Sequence, residues 1–509
     1  MCPFYVTTPI YYVNAEPHLG HAYSTIAADI IARHMRQRGE DVFFLTGTDE
    51  HGEPVAQAAE RLGTTPRELA DRNSVRFRDL AARVNATNDF FIRTSDPEHV
   101  AEVRRIVQGL YDSGHVYAGV YEGWYCDRCA DFKTESELVD GKCPIHLITL
   151  EKRHEENYFF RLSSFQEALE RLYAENRDFV SPGSRFNEAL NFIRQGLEDI
   201  SISRSAISWG VPVPWDERHV IYVWIDALLN YYTALAYARE GEDLTERFWP
   251  ATVHVIGKDI LKFHAVIWPA MLMASGLEVP ERLFIHGYLL MDEHKMSKSL
   301  GNVIDPFQVM DLYGTDALRF YLFREVGFGQ DGNVSTEGFE TRYTTELANE
   351  YGNLASRTLA MVSRYRDGAV PAGEPPAALV AVFEGAPEAI AACFDRSDIS
   401  GALEQIWERV RELNRFVAEQ APWQLAKDPA QAERLDSVLY GLVEGLRVVS
   451  LLLLPIVPEA AERLLIALGA AHERSLVAAR FGAVAGGAQT GELPQLFPKI
   501  EREPEPSAA

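Results

Sequence analysis

Two short motifs contain the residue types that neutralise phosphate charge. His18 and His21 belong to a stretch His-Leu-Gly-His, and Lys295 and Lys298 belong to the stretch Lys-Met-Ser-Lys-Ser at 295–299. Imidazoles donate hydrogen bonds to phosphate oxygens, and a lysine in a loop is a flexible point charge that can close over a ligand. Either motif alone would fit capping histidines or a solvated loop. Together they indicate chemistry on a nucleoside triphosphate.

The histidine pair is expected where a strand ends and a helix begins. Residue types predict strands at 4–8 and 42–45, and apolar residues at helical spacing predict a helix over 22–38. At such a junction the backbone N–H groups and the helix dipole favour an anion, and Gly20 lets a ligand approach closely. This crossover predicts parallel strands in a doubly wound, Rossmann-like α/β sheet. The segment lacks Gly-x-Gly-x-x-Gly, which excludes a nicotinamide-type dinucleotide domain.

Composition limits the class of protein. Of the 509 residues, 47% are hydrophobic and 24% are charged, so we expect a soluble protein of about three or four structural units. The net charge of −25 excludes a general nucleic-acid coat, although not a partner held at a few local sites. The start lacks the pattern of a signal peptide, and the most apolar stretch, 448–457, is too short to span a membrane. We therefore expect a cytoplasmic protein with no membrane partner.

The cysteines predict one structural metal site. Only five occur, and three of them cluster as Cys126-x-x-Cys129 followed by Cys143-x-x-His146. This spacing supplies four soft ligands for a closed, tetrahedral Zn²⁺ site, which leaves no open position for catalysis. The scattered pattern of the other two cysteines argues against a disulfide framework and favours a reducing compartment.

The paired histidine and lysine motifs resemble the signatures of class I aminoacyl-tRNA synthetases. The resemblance narrows to the methionyl-tRNA synthetases at four stretches and extends from the N-terminus to about residue 458. These stretches are Pro-Ile-Tyr-Tyr-Val-Asn at 9–14, Gly-Thr-Asp-Glu-His-Gly at 47–52, Tyr-Val-Trp-Ile-Asp-Ala-Leu-Leu-Asn-Tyr at 222–231 and Gly-Lys-Asp-Ile-Leu-Lys-Phe-His at 257–264. The resemblance implies activation of L-methionine by ATP with Mg²⁺, followed by transfer of the methionyl group to tRNA(Met). It also implies a zinc knuckle on a connective insert that is too small for a hydrolytic editing domain.

The resemblance assigns roles to individual residues. His18, His21, Lys295 and Lys298 are the implied catalytic residues around the triphosphate. The implied ATP-binding set adds four residues to these: Gly20, Gly257, Asp259 and Ser297. The implied methionine site includes Asp49 for the substrate ammonium and Arg204 near the carboxylate, with a side-chain pocket of Ile10, Tyr12, Trp224, Ala227, Tyr231, Ile260 and His264. An aromatic and aliphatic pocket suits a polarisable thioether, although each of these aromatics would also fit ordinary core packing.

The resemblance also implies an order of domains. We expect the two catalytic halves at 1–115 and 188–290, the connective insert at 116–187, the lysine loop and stem-contact region at 291–338, an α-helical anticodon-binding bundle at 339–495 and a disordered tail at 496–509. Three stretches, 222–225, 253–259 and 283–287, are expected to build the second α/β half. The stretch 367–387 is expected to be a loop between helices. With no appended module evident, a monomer is expected.

The implied anticodon readers are Asn353, Arg357 and Trp423. Asn353 and Arg357 are four residues apart and share a helix face, and an exposed tryptophan can stack on an unpaired base. Without the resemblance, Trp423 would be interpreted as a buried core residue.

Three alternatives remain open at this point. A nucleotidyltransferase of the same superfamily would share the histidine and lysine motifs but would have no use for Trp423 or the zinc insert. Another class I synthetase, such as a cysteinyl enzyme, would need a thiolate or metal facing its substrate. A catalytically inactive RNA-binding paralogue would not need His21, Lys295 or Lys298.

Overall fold

A computed structural model describes residues 2–126, 131–133, 135, 138–205, 207–291, 294–295, 305–484 and 486–499. The strands, in chain order, are β1 Pro3–Tyr12, β2 Asp41–Asp49, β3 Phe90–Arg93, β4 Val116–Cys126, β5 Asp131–Lys133, β6 Glu151–Phe160, β7 Val180–Ser181, β8 Ile200–Ser201, β9 Ser203–Arg204, β10 Val220–Ile221, β11 Val253–Gly257, β12 Leu283–His286, β13 Leu289–Met291, β14 His294–Lys295 and β15 Gly332–Asn333.

Helices connect these strands and form almost all of the C-terminal part. The α-helices are α1 Leu19–Arg38, α2 Glu53–Arg61, α3 Pro66–Arg83, α4 Pro97–Asp112, α5 Gln166–Glu175, α6 Gly183–Arg194, α7 Val223–Tyr237, α8 Thr245–Phe248, α9 Trp268–Ala274, α10 Pro306–Tyr313, α11 Thr315–Glu325, α12 Thr336–Arg342, α13 Asn353–Arg366, α14 Ala377–Phe383, α15 Ala386–Asp395, α16 Ile399–Gln420, α17 Pro422–Leu425, α18 Ala432–Leu453 and α19 Pro458–Ala467. Two π-helices, Phe263–Ile267 and Tyr343–Gly352, precede α9 and α13.

The predicted doubly wound sheet is confirmed. Six parallel strands lie in the order β3-β2-β1-β11-β12-β7, so the strand order reverses between β1 and β11. In such sheets ligands bind outside the carboxyl ends of the strands at the point of reversal. The carboxyl ends of β1, β2, β11 and β12 therefore define the edge where a site is expected.

One of the three stretches expected in the second α/β half has a different structure. Residues 253–257 and 283–286 form β11 and β12, but 222–225 does not form a strand. Tyr222 has an extended backbone and precedes α7, whose residues are buried on almost every side. Tertiary burial therefore overrides the strand preference of this β-branched and aromatic run.

The insert contains a second sheet. β4, β5, β6 and β8 form an antiparallel sheet in the order β5-β4-β6-β8. In the helical region Leu347, Tyr351 and Leu354 are buried in the main hydrophobic core. The expected loop over 367–387 is wrong in part, because α14 and the start of α15 lie within it.

A buried ion pair and its neighbouring hydrogen bonds connect α1 to the helical region. Asp29 of α1 and Arg319 of α11 lie 2.7 Å apart, and both side chains are fully buried. Arg319 also donates to the backbone carbonyls of Pro455 and Ile456, just beyond α18. The helix that carries the histidine pair is thus fixed to the helical region through satisfied polar contacts.

One stretch of the described residues, Ala377–Asp395, passes a test of length and apolar composition for crossing a membrane. It is divided into α14 and α15 at Gly385, which has a φ of 66°. Leu379, Phe383 and Ile390 from these two helices belong to the main hydrophobic core.

Candidate active site

The histidine pair lies at the N-terminus of α1, directly after β1. His18 is the N-cap: its Nδ1 accepts from the backbone N–H of Gly20 at 3.1 Å, and the His18 backbone N–H donates to Nδ1 of His21 at 3.0 Å. The two rings stack with centroids 3.8 Å apart. Because both Nδ1 atoms accept hydrogen bonds, the neutral form of each ring carries its proton on Nε2. The capping geometry thus prepares two donors at a helix terminus that already favours an anion.

Gly20 also leaves room for the ring of His18, and its expected role in letting a ligand approach stays a prediction. A Cβ at this position would lie 2.9 Å from Cε1 and 3.1 Å from Nδ1 of His18. Contacts below 3.0 Å are essentially absent for real Cβ atoms. The glycine therefore makes room for the imidazole of His18 as it folds back over the helix N-terminus.

Residues at the carboxyl ends of β11 and β12, and just after β11, complete this edge of the sheet. His286, the last residue of β12, contacts Ser24 of α1 through Nε2 at 2.8 Å. Gly257 ends β11, and a Cβ there would lie 2.7 Å from Oδ1 of Asp259, so the glycine leaves space for that carboxylate. Lys258 forms an ion pair of 2.5 Å with Asp331. Gly257 and Asp259 are thus at the same edge as the histidine pair, and their role towards ATP stays a prediction.

The lysine loop is described only in part. The backbone of Lys295 belongs to β14, which pairs with Leu290 of β13. Ser297 and Lys298 lie outside the described residues. The assignment of these lysines to the triphosphate therefore stays a prediction.

An aromatic cluster, the candidate side-chain pocket, lies between β1, α7 and the segment after β11. Tyr12 meets Trp224 edge to face with centroids 6.1 Å apart, and Trp224 stacks on Phe263 at 4.0 Å. Ile10, Tyr12, Trp224 and Ile260 are partly buried and pack against the same core. The structure thus brings together pocket residues that are far apart in sequence, and it adds Phe263, which the resemblance did not single out.

The floor of this pocket is a hydrogen-bonded chain of buried rings. The Tyr231 hydroxyl lies 2.9 Å from Nε2 of His264, and Nδ1 of His264 lies 3.1 Å from the Ile260 carbonyl. Because the carbonyl can only accept, His264 donates from Nδ1 and accepts from Tyr231 through Nε2. Burial lowers the pKa of His264 to about 4, so the ring is neutral at physiological pH. Ala227, only 3% exposed, lies one turn before Tyr231 on α7.

Asp49 brings a carboxylate to the pocket. It ends β2 and is paired in register with Tyr12 of β1. The side chain is 2% exposed, and its Oδ1 has no hydrogen-bond partner among the described residues. Burial, then the charges of Asp226 and Glu50, raise the pKa of Asp49 well above its usual range. An acceptor atom left open in a buried site fits a ligand that supplies a cationic donor.

Arg204 lies to one side of this pocket. It is 3% exposed at the end of β9, and its Nη1 donates to the Ser203 carbonyl at 2.8 Å. Its guanidinium lies over the ring of Tyr222, 4.2 Å from the centroid. These contacts place Arg204 beside the residue that precedes α7, and its predicted role towards the substrate carboxylate stays a prediction.

A buried network centred on Asp226 was not predicted from the sequence. The Asp226 carboxylate contacts His51 Nδ1 at 2.7 Å and His99 Nε2 at 2.9 Å. His51 and Asp226 both lie inside the stretches that carry the resemblance, but His99 lies in α4 and had no signal of its own. Only the fold brings these three residues together.

Three of the predicted zinc ligands converge in the insert. The ligand atoms of Cys126, Cys143 and His146 all lie within 4.8 Å of one another, and His146 Nδ1 is 3.8 Å from each sulfur. Bonds of about 2.3 Å to sulfur and about 2.0 Å to nitrogen around one ion are compatible with these separations. Cys129 lies outside the described residues. The donor set therefore fits Zn²⁺.

The predicted anticodon readers lie together on the helical region. Asn353 and Arg357 are exposed on α13, and the guanidinium of Arg357 lies 5.7 Å from the ring centroid of Trp423. Trp423 is 37% exposed, which overturns its interpretation as a buried core residue. Ala421, with a φ of 42°, ends α16 and precedes Pro422, so the helix breaks just before the tryptophan.

Comparisons with known proteins agree with this geometry. The family model described as tRNA synthetases class I (M) matches residues 4–151 and 145–359. A methionine–tRNA ligase of Streptomyces coelicolor is 46% identical over 525 residues, covering 98% of this chain and 97% of that protein. One from Caldanaerobacter subterraneus is 45% identical over 507 residues, covering 99% of this chain and 80% of that protein.

Solved structures from Mycobacterium tuberculosis are similar over nearly the whole chain. Methionyl-tRNA synthetase in complex with methionyl-adenylate superimposes with a TM-score of 0.95 at 43% identity, covering 98% of this chain and 100% of that one. The free form of that enzyme gives a TM-score of 0.87 at 40% identity, covering 99% of each chain. The backbone thus resembles the adenylate-bound relative more closely than the free one.

Proposed function

This chain belongs to the methionine–tRNA ligase family of class I tRNA synthetases, and we propose that it activates L-methionine with ATP and transfers the methionyl group to tRNA(Met). The observation that carries the proposal is a juxtaposition at one edge of the sheet. A helix N-terminus with two stacked imidazoles lies beside an aromatic pocket that ends in the open oxygen of Asp49. This arrangement suits the joining of an amino acid to a nucleotide.

In the activation step, the methionine carboxylate attacks the α-phosphorus of ATP and pyrophosphate leaves in line. Both reactants are anionic, so the main requirement is neutralisation of charge in the transition state. His18 and His21 supply Nε2 donors from a fixed cap, and the α1 terminus adds backbone N–H groups. In this proposal Lys295 and Lys298 close over the leaving pyrophosphate, and Mg²⁺ accompanies the triphosphate.

Methionine is selected mainly by shape in this proposal. The thioether lies among Tyr12, Trp224 and His264, where aromatic edges contact sulfur favourably. Asp49 binds the ammonium, and Arg204 remains the proposed partner for the carboxylate. A side chain shorter by a methyl group leaves part of the pocket unfilled, which limits discrimination to about 1–3 kcal/mol.

Zinc is proposed as a structural ion in the insert. Cys126, Cys143 and His146 would hold it together with Cys129, and the ion would cross-link β4 to the following turn. Four protein ligands leave no open coordination position, so the ion contributes to folding and not to the reaction.

The helical region is the proposed anticodon reader. Trp423 would stack on an unpaired base of the anticodon loop, while Asn353 and Arg357 would contact base edges and backbone. The expected start of a disordered tail at 496 is wrong, because Leu496 and Phe497 are buried in the main hydrophobic core. The other domain boundaries given above, a monomeric state and a cytoplasmic location are proposed alongside this function.

The experiment is aminoacylation of a tRNA(Met) transcript with each of the protein amino acids, using the wild-type chain and Lys298→Ala. We expect charging with methionine only, and a loss of charging in the variant. Charging with a different amino acid would refute the proposed pocket. Equal activity of the variant and the wild type would refute the role of the lysine loop.

A further inference from the structure

Three buried carboxylates lie together at the carboxyl end of β2. They belong to Asp49 and Glu50, at the end of the strand, and to Asp226 of α7, and each is at most 2% exposed. Burying an anion is unfavourable unless charges or hydrogen bonds compensate it. The way each carboxylate is compensated therefore indicates what it does.

Glu50 is compensated from within the protein. Arg93 of β3 contacts both of its oxygens, through Nε at 2.7 Å and through Nη2 at 2.9 Å. Hydroxyl groups of Thr48 and Ser95 add further donors. Glu50 therefore has its cation built in and needs no ligand.

Asp226 is also compensated, but by imidazoles. His51 and His99 contact one oxygen each, and the second ring nitrogen of His99 lies 2.7 Å from the hydroxyl of Thr233. Although burial raises the pKa of Asp226, the two imidazoles outweigh it and lower the pKa to about 2. The two imidazoles thus stabilise the ionised form of Asp226.

Asp49 differs from both. One oxygen accepts from the backbone N–H of His51, and Oδ1 has no partner among the described residues. The charged groups that act on it are the Asp226 and Glu50 carboxylates, and the phenol of Tyr231 also lies close. Two anions beside it and no cationic hydrogen-bond partner among the described residues favour the protonated form of Asp49 until a ligand brings positive charge.

We propose that Asp226, held by His51 and His99, is a positioning residue that keeps Asp49 protonated until an α-ammonium group enters, so that methionine binding releases a proton. The inference rests on the proposed function and deepens its methionine site. In this step the O–H bond of Asp49 breaks and its proton passes to solvent. The ammonium group keeps its three hydrogens and donates to the new carboxylate. The site thereby selects a cation over a neutral group of the same size.

A dependence on pH follows from this exchange. Below the pKa of Asp49 in the free protein, methionine must displace a proton, so its affinity rises with pH by up to about tenfold per unit. Above that pKa Asp49 is already ionised, and the affinity becomes independent of pH until the substrate amine itself loses its proton.

The test counts protons by calorimetry. L-methionine is titrated into the full-length protein at neutral pH, in buffers that differ in ionisation enthalpy, and the deamino analogue 4-(methylthio)butanoate is titrated in parallel. We expect release of close to one proton with methionine and none with the analogue, which brings no ammonium. Methionine binding without proton release, or equal release with the analogue, would overturn the inference.

Variants separate the positioning role from a structural one. Asp226→Asn removes the neighbouring anion, so we expect fewer protons released and a flatter pH profile of the methionine KM, with the ATP KM unchanged. The exposed Asp243 gives the control Asp243→Asn, for which we expect wild-type behaviour. Unchanged proton release in Asp226→Asn would refute the role of Asp226. If Asp226→Asn does not fold, Thr233→Val takes its place, because it removes only the hydroxyl beside His99. We expect Thr233→Val to release fewer protons than the wild type. An unchanged proton count would refute the role of the Asp226 network.

Failure of this inference is distinguishable from failure of the proposed function. Methionine-dependent exchange of pyrophosphate into ATP reports the function whatever the proton count is. Exchange without proton release refutes the inference alone, and absence of exchange refutes the function.

Discussion

Gly20→Ala is the substitution that most directly tests the geometry of the histidine pair. In a helix, replacing glycine with alanine normally stabilises by about 1 kcal/mol, because alanine loses less backbone entropy. Here the added Cβ would lie 2.9 Å from the His18 ring, so the imidazole must move while the backbone stays. We therefore expect a protein that folds normally and activates methionine poorly.

The magnitudes follow from the two effects of moving His18. Loss of its cap hydrogen bond to the Gly20 N–H costs about 0.5–2 kcal/mol of stability, which the helix preference of alanine largely offsets. Loss of one aligned donor to the reacting phosphate costs about 2.7–4 kcal/mol, or about a 100- to 1,000-fold fall in kcat. Stability should thus change by about 1 kcal/mol at most while the rate falls by orders of magnitude.

The assay is ATP–pyrophosphate exchange with methionine, together with thermal unfolding of the same samples. Gly109→Ala is the matched control, because Gly109 is an exposed residue within α4 and its Cβ would meet nothing within 4 Å. We expect the control to be as active as the wild type and slightly more stable. A Gly20→Ala protein with a kcat within twofold of wild type would refute the role assigned to His18.

Further predictions concern the pocket, the metal and the tRNA interface. Tyr231→Phe leaves the buried Nε2 of His264 without its hydrogen-bond donor. The free energy of unfolding should therefore fall by about 1–3 kcal/mol, and the methionine KM should rise. An unchanged denaturant unfolding curve would contradict this prediction. Elemental analysis should find one zinc per chain, and Cys143→Ser should lose the zinc and unfold at lower temperature; a metal-free wild type with a normally stable variant would exclude the zinc site. Trp423→Ala should leave pyrophosphate exchange unchanged, because the exposed tryptophan lies in the helical region. It should lower kcat/KM for tRNA charging by about 5- to 150-fold, as expected for the loss of one base stack of about 1–3 kcal/mol. An equal loss in both assays would point to a structural role.

Features that depend on local sequence were predictable. The His18 and His21 motif was placed correctly between β1 and α1, because strand and helix patterns flank it directly. The spacing of Cys126, Cys143 and His146 similarly led to a set of ligand atoms that the fold brings together. These predictions needed only neighbours in the chain.

Features that depend on contacts between distant segments were not predictable. The stretch 222–225 has the residue types of a strand, yet burial on most sides makes it the start of α7. Asp226 and His99 are 127 residues apart, so their contact becomes visible only in the folded chain. The exposure of Trp423 likewise depends on the break at Ala421, where the backbone adopts a positive φ that is uncommon for a residue with a side chain.

The most direct test of the account is ATP–pyrophosphate exchange measured without tRNA, with each protein amino acid in turn. We expect exchange with L-methionine and with no other amino acid at comparable rate. Exchange supported by a different amino acid would contradict the pocket built from Tyr12, Trp224 and His264. No exchange with any amino acid would contradict the assignment of this site to amino-acid activation.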